Sequence, residues 1–139
     1  MAIGTLVDAN VILDVLTEDP IWGTWSADAL TAAGDAGPLL INPIIYAEVS
    51  VRFTRIEDLD EALPTQDYTR LPLPWDAAFL AGKAFLTYRR RGGTKTSPLP
   101  DFYIGAHASV ADVALLTRDS TRYATYFPRV RLLSPSTRE

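Results

Sequence analysis

The sequence predicts an α/β fold, a three-layer α/β/α sandwich around a central, mostly parallel sheet of four to five strands. Two observations predict it. Short apolar runs alternate with longer stretches of helical periodicity along the chain, the pattern of parallel strands joined by helical crossovers. Two of those runs also stop at an acid, Asp8 after Val7 and Asp119 just past Thr117. Right-handed crossovers bring the carboxyl ends of parallel strands to one rim, where open α/β sheets bind their ligands. At 139 residues the chain has the length of one domain, predicted to span 1–139.

The first strand is read from Ile3 to Val7. Val11, Ile12, Val15 and Leu16 then recur at helical spacing, and Thr17 to Pro20 ends that helix. A second helix, about Ile21 to Gly34, carries Trp22, Trp25 and Ala29 on one stripe, with Gly34 and Gly37 as stop signals and the tryptophans assigned to the core. Leu39 to Ile41 is the second strand. Asn42 followed by Pro43 suits a helix start, since Asn caps and proline fits the first helical position. In this helix Glu48 shares a face with Ile44, Ile45 and Val51, where an unpaired carboxylate is costly.

Ile56 to Leu63 reads as a short acidic helix and Tyr68 to Leu71 as a third strand. A long helix follows from about Trp75 to Arg91, packing through Ala77, Leu80, Ala81 and Ala84. Gly92 to Pro100 is a loop, flanked by Arg89, Arg90 and Arg91 and containing Lys95, the one basic cluster. Pro100 and Asp101 open another helix, whose Ile104, Gly105, Ala106 and Ala108 are small enough for close packing. His107 lies off the face of Asp101, Ile104, Gly105 and Ala108 and receives no chemical role. Val113 to Thr117 is a strand, Tyr123 to Phe127 a helical turn, and Val130 to Leu133 the last strand.

Composition narrows the chemistry. With no cysteine and a single histidine, disulfides, thiolate nucleophiles, Cys-ligated zinc and His clusters are excluded, so the acids must carry any catalysis. The hydrophobic share of 47% with 22% charged residues is that of a soluble protein, with no membrane span and no secretory signal, which points to the cytoplasm. A net charge of -4 argues against non-specific coating of nucleic acid. The Arg89 to Lys95 cluster can offset this locally as an RNA phosphate contact, or be only a solvated helix end.

Asp8 and Asp119 reach one rim directly, and Glu48 and Asp101 can join them if their helices start there. Carboxylates brought together repel one another unless a cation lies among them. Oxygen-only ligands favour Mg²⁺ or Mn²⁺, and with phosphate as the remaining ligand the expected chemistry is phosphodiester hydrolysis.

The stretches LVDANVILDVL, PIIYAEVSVRF, PLPDFYIGAHA and ALLTRDSTRY resemble, in order and spacing, the four motifs of PIN-domain ribonucleases, most closely the VapC-type toxins of bacterial toxin–antitoxin pairs. The resemblance covers almost the whole chain. It implies a PIN-like fold with Asp8, Glu48, Asp101 and Asp119 as catalytic, metal-binding acids, Asn10 as a polar support beside the first and Thr117 as a hydroxyl near the last. It further implies an Mg²⁺-dependent endoribonuclease, with Mn²⁺ as a substitute, that leaves 5′-phosphate and 3′-hydroxyl ends. The partners implied are RNA, a cognate antitoxin and a second copy in a homodimer.

Each acid also has a plainer reading. Asp8 can cap the first helix, Asp101 can serve only the helix dipole, and Asp119 can be a turn residue. Glu48 can form a buried ion pair with Arg52 or Arg55. Two other functions stay open: a non-catalytic binding module, and a haloacid dehalogenase-type phosphatase with Asp8 as nucleophile. The second lacks its general acid, because Asn10 stands where that family has an aspartate.

Overall fold

The computed structural model describes residues 4–135. Ile3, at the head of the predicted first strand, and both ends of the predicted 1–139 domain lie outside the described residues. Among the described residues five short strands form one sheet: β1 (Thr5–Val7), β2 (Leu39–Ile41), β3 (Tyr68–Arg70), β4 (Ala114–Leu116) and β5 (Leu132–Leu133). Their order is β3-β2-β1-β4-β5 and every neighbouring pair is parallel, so the mostly parallel sheet of the sequence reading is parallel throughout. Seven helices connect them: α1 (Ala9–Leu16), α2 (Gly23–Ala36), α3 (Pro43–Ser50), α4 (Ile56–Ala62), α5 (Trp75–Arg90), α6 (Pro100–Ala111) and α7 (Thr121–Tyr126). The chain builds outward from β1 to β3, then returns to the other side of β1 for β4 and β5. Right-handed crossovers in opposite directions put helices on both faces, giving the expected α/β/α sandwich.

This order places a switch point between β1 and β4. All three residues of β1 are buried, and the backbone N–H of Asp8 continues the ladder by donating to the Leu116 carbonyl at 2.8 Å. The Thr117 N–H donates to the Leu133 carbonyl at 3.0 Å. Asp8 and Thr117 are therefore the last residues held by the sheet before the chain leaves it, side by side at its centre.

Several boundaries move for local reasons. The Asp19 carboxylate accepts from the N–H groups of Ile21 (3.0 Å) and Trp22 (2.7 Å), which holds them in a turn and starts α2 at Gly23 rather than Ile21. That helix runs past Gly34 and stops at Gly37, whose N–H still bonds to the Ala33 carbonyl. α7 starts two residues early because Asp119 Oδ1 accepts from Thr121 N–H at 3.3 Å. Val130, read as strand, instead closes a turn onto the Phe127 carbonyl, so β5 is confined to Leu132–Leu133. The tryptophans are half-buried rather than core: Trp25 packs against the core, and Trp22 meets it edge-on at 6.5 Å beneath the Arg118 guanidinium.

α6 is deeply enclosed, with Phe102 and Ile104 to Ala108 all buried. Gly105 has a steric reason to be glycine: a Cβ there would collide with the ring of Phe127, itself only 3% exposed. His107, off the packing face in the sequence reading, is buried as well. Asn42 Oδ1 caps α3 by accepting from Ile45 N–H, so Asn42 Nδ2 donates to His107 Nδ1 at 2.9 Å and the ring accepts there. Burial lowers the imidazole pKa, in keeping with a neutral, structural histidine that ties α3 to α6. No helix among the described residues is long and apolar enough to cross a membrane.

Candidate active site

The cleft at the switch point is lined by Asp8, Ala9, Asn10, Leu13, Glu48, Val51, Arg52, Asp101 and Asp119, with a volume of about 360 Å³. All four acids singled out from the sequence meet there. Asp8 comes from the end of β1, Asp119 from just beyond β4, Glu48 from the second turn of α3, and Asp101 from the first turn of α6.

Asp8 is 5% exposed and is held by side chains from the far end of the sequence. Thr117 Oγ1 donates to its Oδ2 at 2.9 Å, and the Tyr123 hydroxyl lies 2.8 Å from the same oxygen. Although Asp8 precedes α1, its side chain makes no capping hydrogen bond, so the plain helix-cap reading falls away. Asn10 Nδ2 donates to Thr117 Oγ1 at 3.3 Å, while its Oδ1 accepts from Arg118 N–H at 3.1 Å. Asn10 thus links α1 to the turn after β4. Thr117 serves chiefly the first acid rather than the last, although its hydroxyl also contacts the Asp119 backbone at 3.2 Å.

Glu48 is the unbalanced member. Its Oε1 is buried with no hydrogen-bond partner. The ion pair expected of a buried glutamate is not made: Arg55 pairs with Glu57 at 3.4 Å, and Arg52 lines the cleft without bonding to Glu48. Burial first, then the charges of Asp8 and Asp101, push the Glu48 pKa from 4.5 to about 7. Burial likewise raises Asp8 from 3.8 to about 6 against the hydrogen bonds of Tyr123 and Thr117, with Asp101 adding to the rise. Asp101 is raised mainly by burial, opposed by Arg122 and Tyr123.

Among the described residues no three acids form a ready-made cage for an ion. Their oxygens are partly engaged by protein donors, as at Asp8 Oδ2 and on both oxygens of Asp101. The donor set nevertheless fits a hard divalent cation. It consists of carboxylate oxygens that destabilise one another's charge, with one buried oxygen lacking any partner.

The basic cluster lies elsewhere. Arg89, Arg90, Arg91 and Lys95 are not among the cleft-lining residues, and Arg89 Nη1 donates to the Lys95 carbonyl at 2.6 Å, closing the loop on itself. An aromatic series joins the two regions. Arg91 stands over Tyr126, Tyr126 and Phe102 pack edge-to-face at 5.4 Å, and Arg122 stands over Phe102 while its Nη1 reaches Asp101 Oδ2 at 3.4 Å.

Sequence reasoning missed Tyr123, Arg122 and the pairing of Asp14 with Arg118. Asp14 is 3% exposed and receives Arg118 in a bidentate fork at 2.8 and 3.0 Å, plus the Ser26 hydroxyl at 2.8 Å. The fork spans 104 positions, so no local spacing could reveal it. It anchors the turn bearing Thr117 and Asp119 onto α1. Arg118 is about a third exposed and can reach water, whereas Asp14 cannot. Arg118→Met is therefore expected to destabilise by about 3 kcal/mol in urea unfolding, because it strands a buried charge. Asp14→Asn is expected to cost clearly less, and equal losses would contradict this asymmetry.

Fold and site together define an α/β/α protein with an acidic, cation-compatible cleft at the switch point of a parallel sheet. A model of the PIN domain matches residues 5–128, and the chain belongs to the PIN-domain family. No curated protein matches the chain by sequence. Among solved structures it is similar to the VapBC2 complex of Rickettsia felis bound to a DNA fragment from its promoter, with a TM-score of 0.71 and 15% identity over 94% of this chain and 97% of that one. It is also similar to VapBC-1 of nontypeable Haemophilus influenzae, with a TM-score of 0.70 and 17% identity over 94% and 96% of the two chains. A toxin–antitoxin complex of Klebsiella pneumoniae gives a TM-score of 0.70 and 22% identity over 95% and 98%.

Proposed function

We propose that this protein is a metal-dependent endoribonuclease of the VapC toxin type, hydrolysing RNA phosphodiester bonds at the four-acid cleft. One observation carries the reading: Asp8, Glu48, Asp101 and Asp119 line a single cleft, and Glu48 Oε1 is buried in it with no protein partner. Asp8, Glu48, Asp101 and Asp119 are the residues that would hold Mg²⁺, or Mn²⁺ in its place. When bound, such an ion supplies positive charge at the scissile phosphate and lowers the pKa of an attacking water.

The chain's own residues do the rest. Thr117 restrains Asp8, and Asn10 restrains Thr117. Arg52 on the cleft wall and Arg122 beside Asp101 offer charge to non-bridging phosphate oxygens. Arg89, Arg90, Arg91 and Lys95 extend that charge as a path for the RNA backbone. Such a path lets an acidic protein hold a polyanion.

An antitoxin is the proposed regulatory partner, supported by structural neighbours that are themselves toxin–antitoxin complexes. A homodimer is proposed through α5, where Trp75 (91% exposed), Phe79 (68%) and Leu86 (42%) fall on one helical face. Its proposed compartment is the cytoplasm, where an RNA substrate is available.

The test is cleavage of a panel of tRNAs and structured RNAs by purified protein with Mg²⁺, with Mn²⁺ and with EDTA. Ion-dependent cuts leaving 5′-phosphate and 3′-hydroxyl ends are expected. Absence of cleavage together with absence of Mg²⁺ or Mn²⁺ binding by calorimetry would sink the nuclease reading and favour a binding module of the same fold.

A further inference from the structure

Tyr123 is buried, with 1% of its surface exposed, yet its hydroxyl is not spent on the backbone. It lies 2.8 Å from Asp8 Oδ2 and 3.2 Å from Asp101 Oδ1, between acids contributed by β1 and α6. We infer that Tyr123 is a positioning residue that sets the separation and orientation of Asp8 and Asp101 and thereby governs how tightly the cleft takes up a divalent cation. This rests on the metal-dependent reading of the cleft.

The geometry supports this in three ways. A phenol is rigid beyond its two side-chain torsions, and this ring is enclosed, so its oxygen is a fixed post rather than a mobile donor. The single proton of the Tyr123 hydroxyl serves one carboxylate at a time, Asp8 Oδ2 at 2.8 Å being the nearer, and the same oxygen, 3.2 Å from Asp101 Oδ1, fixes how closely the second acid can approach the first. Thr117 converges with Tyr123 on the same oxygen of Asp8, so that carboxylate is restrained through one oxygen, as groups behind metal ligands commonly restrain them.

The neighbouring cation is a weaker anchor for Asp101. Arg122 reaches it only at 3.4 Å, and its side chain is 37% exposed. Tyr126, on the same helix, packs against Tyr88 and Phe102 and makes no acid contact, which makes it the matched control.

The experiment is Mn²⁺ titration by isothermal calorimetry of the full chain, comparing wild type, Tyr123→Phe and Tyr126→Phe at pH 7.5, with thermal unfolding in EDTA alongside. Tyr123→Phe keeps the ring and removes only the hydroxyl, so it is expected to fold, with Mn²⁺ affinity reduced by about tenfold to a hundredfold. Tyr126→Phe is expected to bind as wild type does. Unchanged affinity in Tyr123→Phe overturns the inference and leaves the nuclease reading standing, as does an equal loss in both variants. Failure of wild type to bind any ion removes the nuclease reading and this inference with it. Should Tyr123→Phe unfold early in EDTA, titration well below its midpoint gives the same decision, because a purely structural role lowers the midpoint without lowering the affinity of the folded protein.

Discussion

Asp8→Asn is expected to abolish RNA cleavage while making the ion-free protein more stable at neutral pH. Both effects come from one carboxylate. In the proposed reaction it supplies negative charge that holds the cation, which an amide cannot do, so the cleavage rate should fall by roughly a thousandfold. Without an ion the same charge is a burden. Its folded pKa of about 6 lies above the ordinary 3.8, chiefly because the group is buried. The folded state therefore binds this proton more tightly than the unfolded chain, and wild type loses stability as pH rises from about 3.8 through 6. The full penalty, present above the folded pKa, is on the order of 3 kcal/mol. The amide that replaces the carboxylate does not titrate, and its carbonyl can still accept from Thr117 and Tyr123. The thermal midpoint of the variant in EDTA should exceed that of wild type at pH 7.5, and the gap should close toward pH 4. A variant less stable than wild type at pH 7.5, or one that still cleaves RNA, would contradict the assignment of Asp8.

The second large effect is a coupling between ion and proton. Three carboxylates in the cleft have raised pKa values, Asp8 to about 6, Glu48 to about 7, and Asp101 in the same direction. At pH 7.5 Asp8 is largely ionised and Glu48 more than half so, and their charges repel one another, so an ion bound among them stabilises the fold. At pH 5 protons already occupy Asp8 and Glu48, and the ion must displace them. Millimolar Mn²⁺ should therefore raise the thermal midpoint strongly at pH 7.5 and little at pH 5. Saturation to a hundred times the dissociation constant corresponds to about 2.7 kcal/mol of added stability. Cleavage at subsaturating ion should fall in parallel, by about tenfold or more over the same interval. Glu48→Gln should flatten the response. An Mn²⁺ shift that is equal at both pH values would mean that the ion binds away from these acids.

Glu48 shows how far a sequence can carry a site. Its place beside the apolar Ile44 and Ile45 of α3 was legible from their spacing, and the conflict between burial and charge was the reason to single it out, although Val51, read on the same stripe, lies past the end of the helix and is 83% exposed. Whether an arginine resolves the conflict depends on where Arg52 and Arg55 point. The fold leaves it unresolved, with Arg55 turned to Glu57 and Oε1 bare. Tyr123 is the opposite case. Nothing local distinguishes it from Tyr126 three residues on, and only the packing of α7 against α6 brings its hydroxyl to two acids 115 and 22 positions away.

By itself the sequence determined the alternation of strands and helices, the burial of β1, the Asn42 cap and the acids at strand ends. Each follows from periodicity, from the backbone preferences of single residues or from the character of a residue next to a break, which act over a few positions. Tertiary structure alone decided the strand order and hence the switch point between β1 and β4, the fork of Arg118 on Asp14, and the shared hydroxyl of Tyr123. Those features join residues about a hundred positions apart in several cases. Their energies come from burial and from charges removed from water together, which no spacing along the chain records.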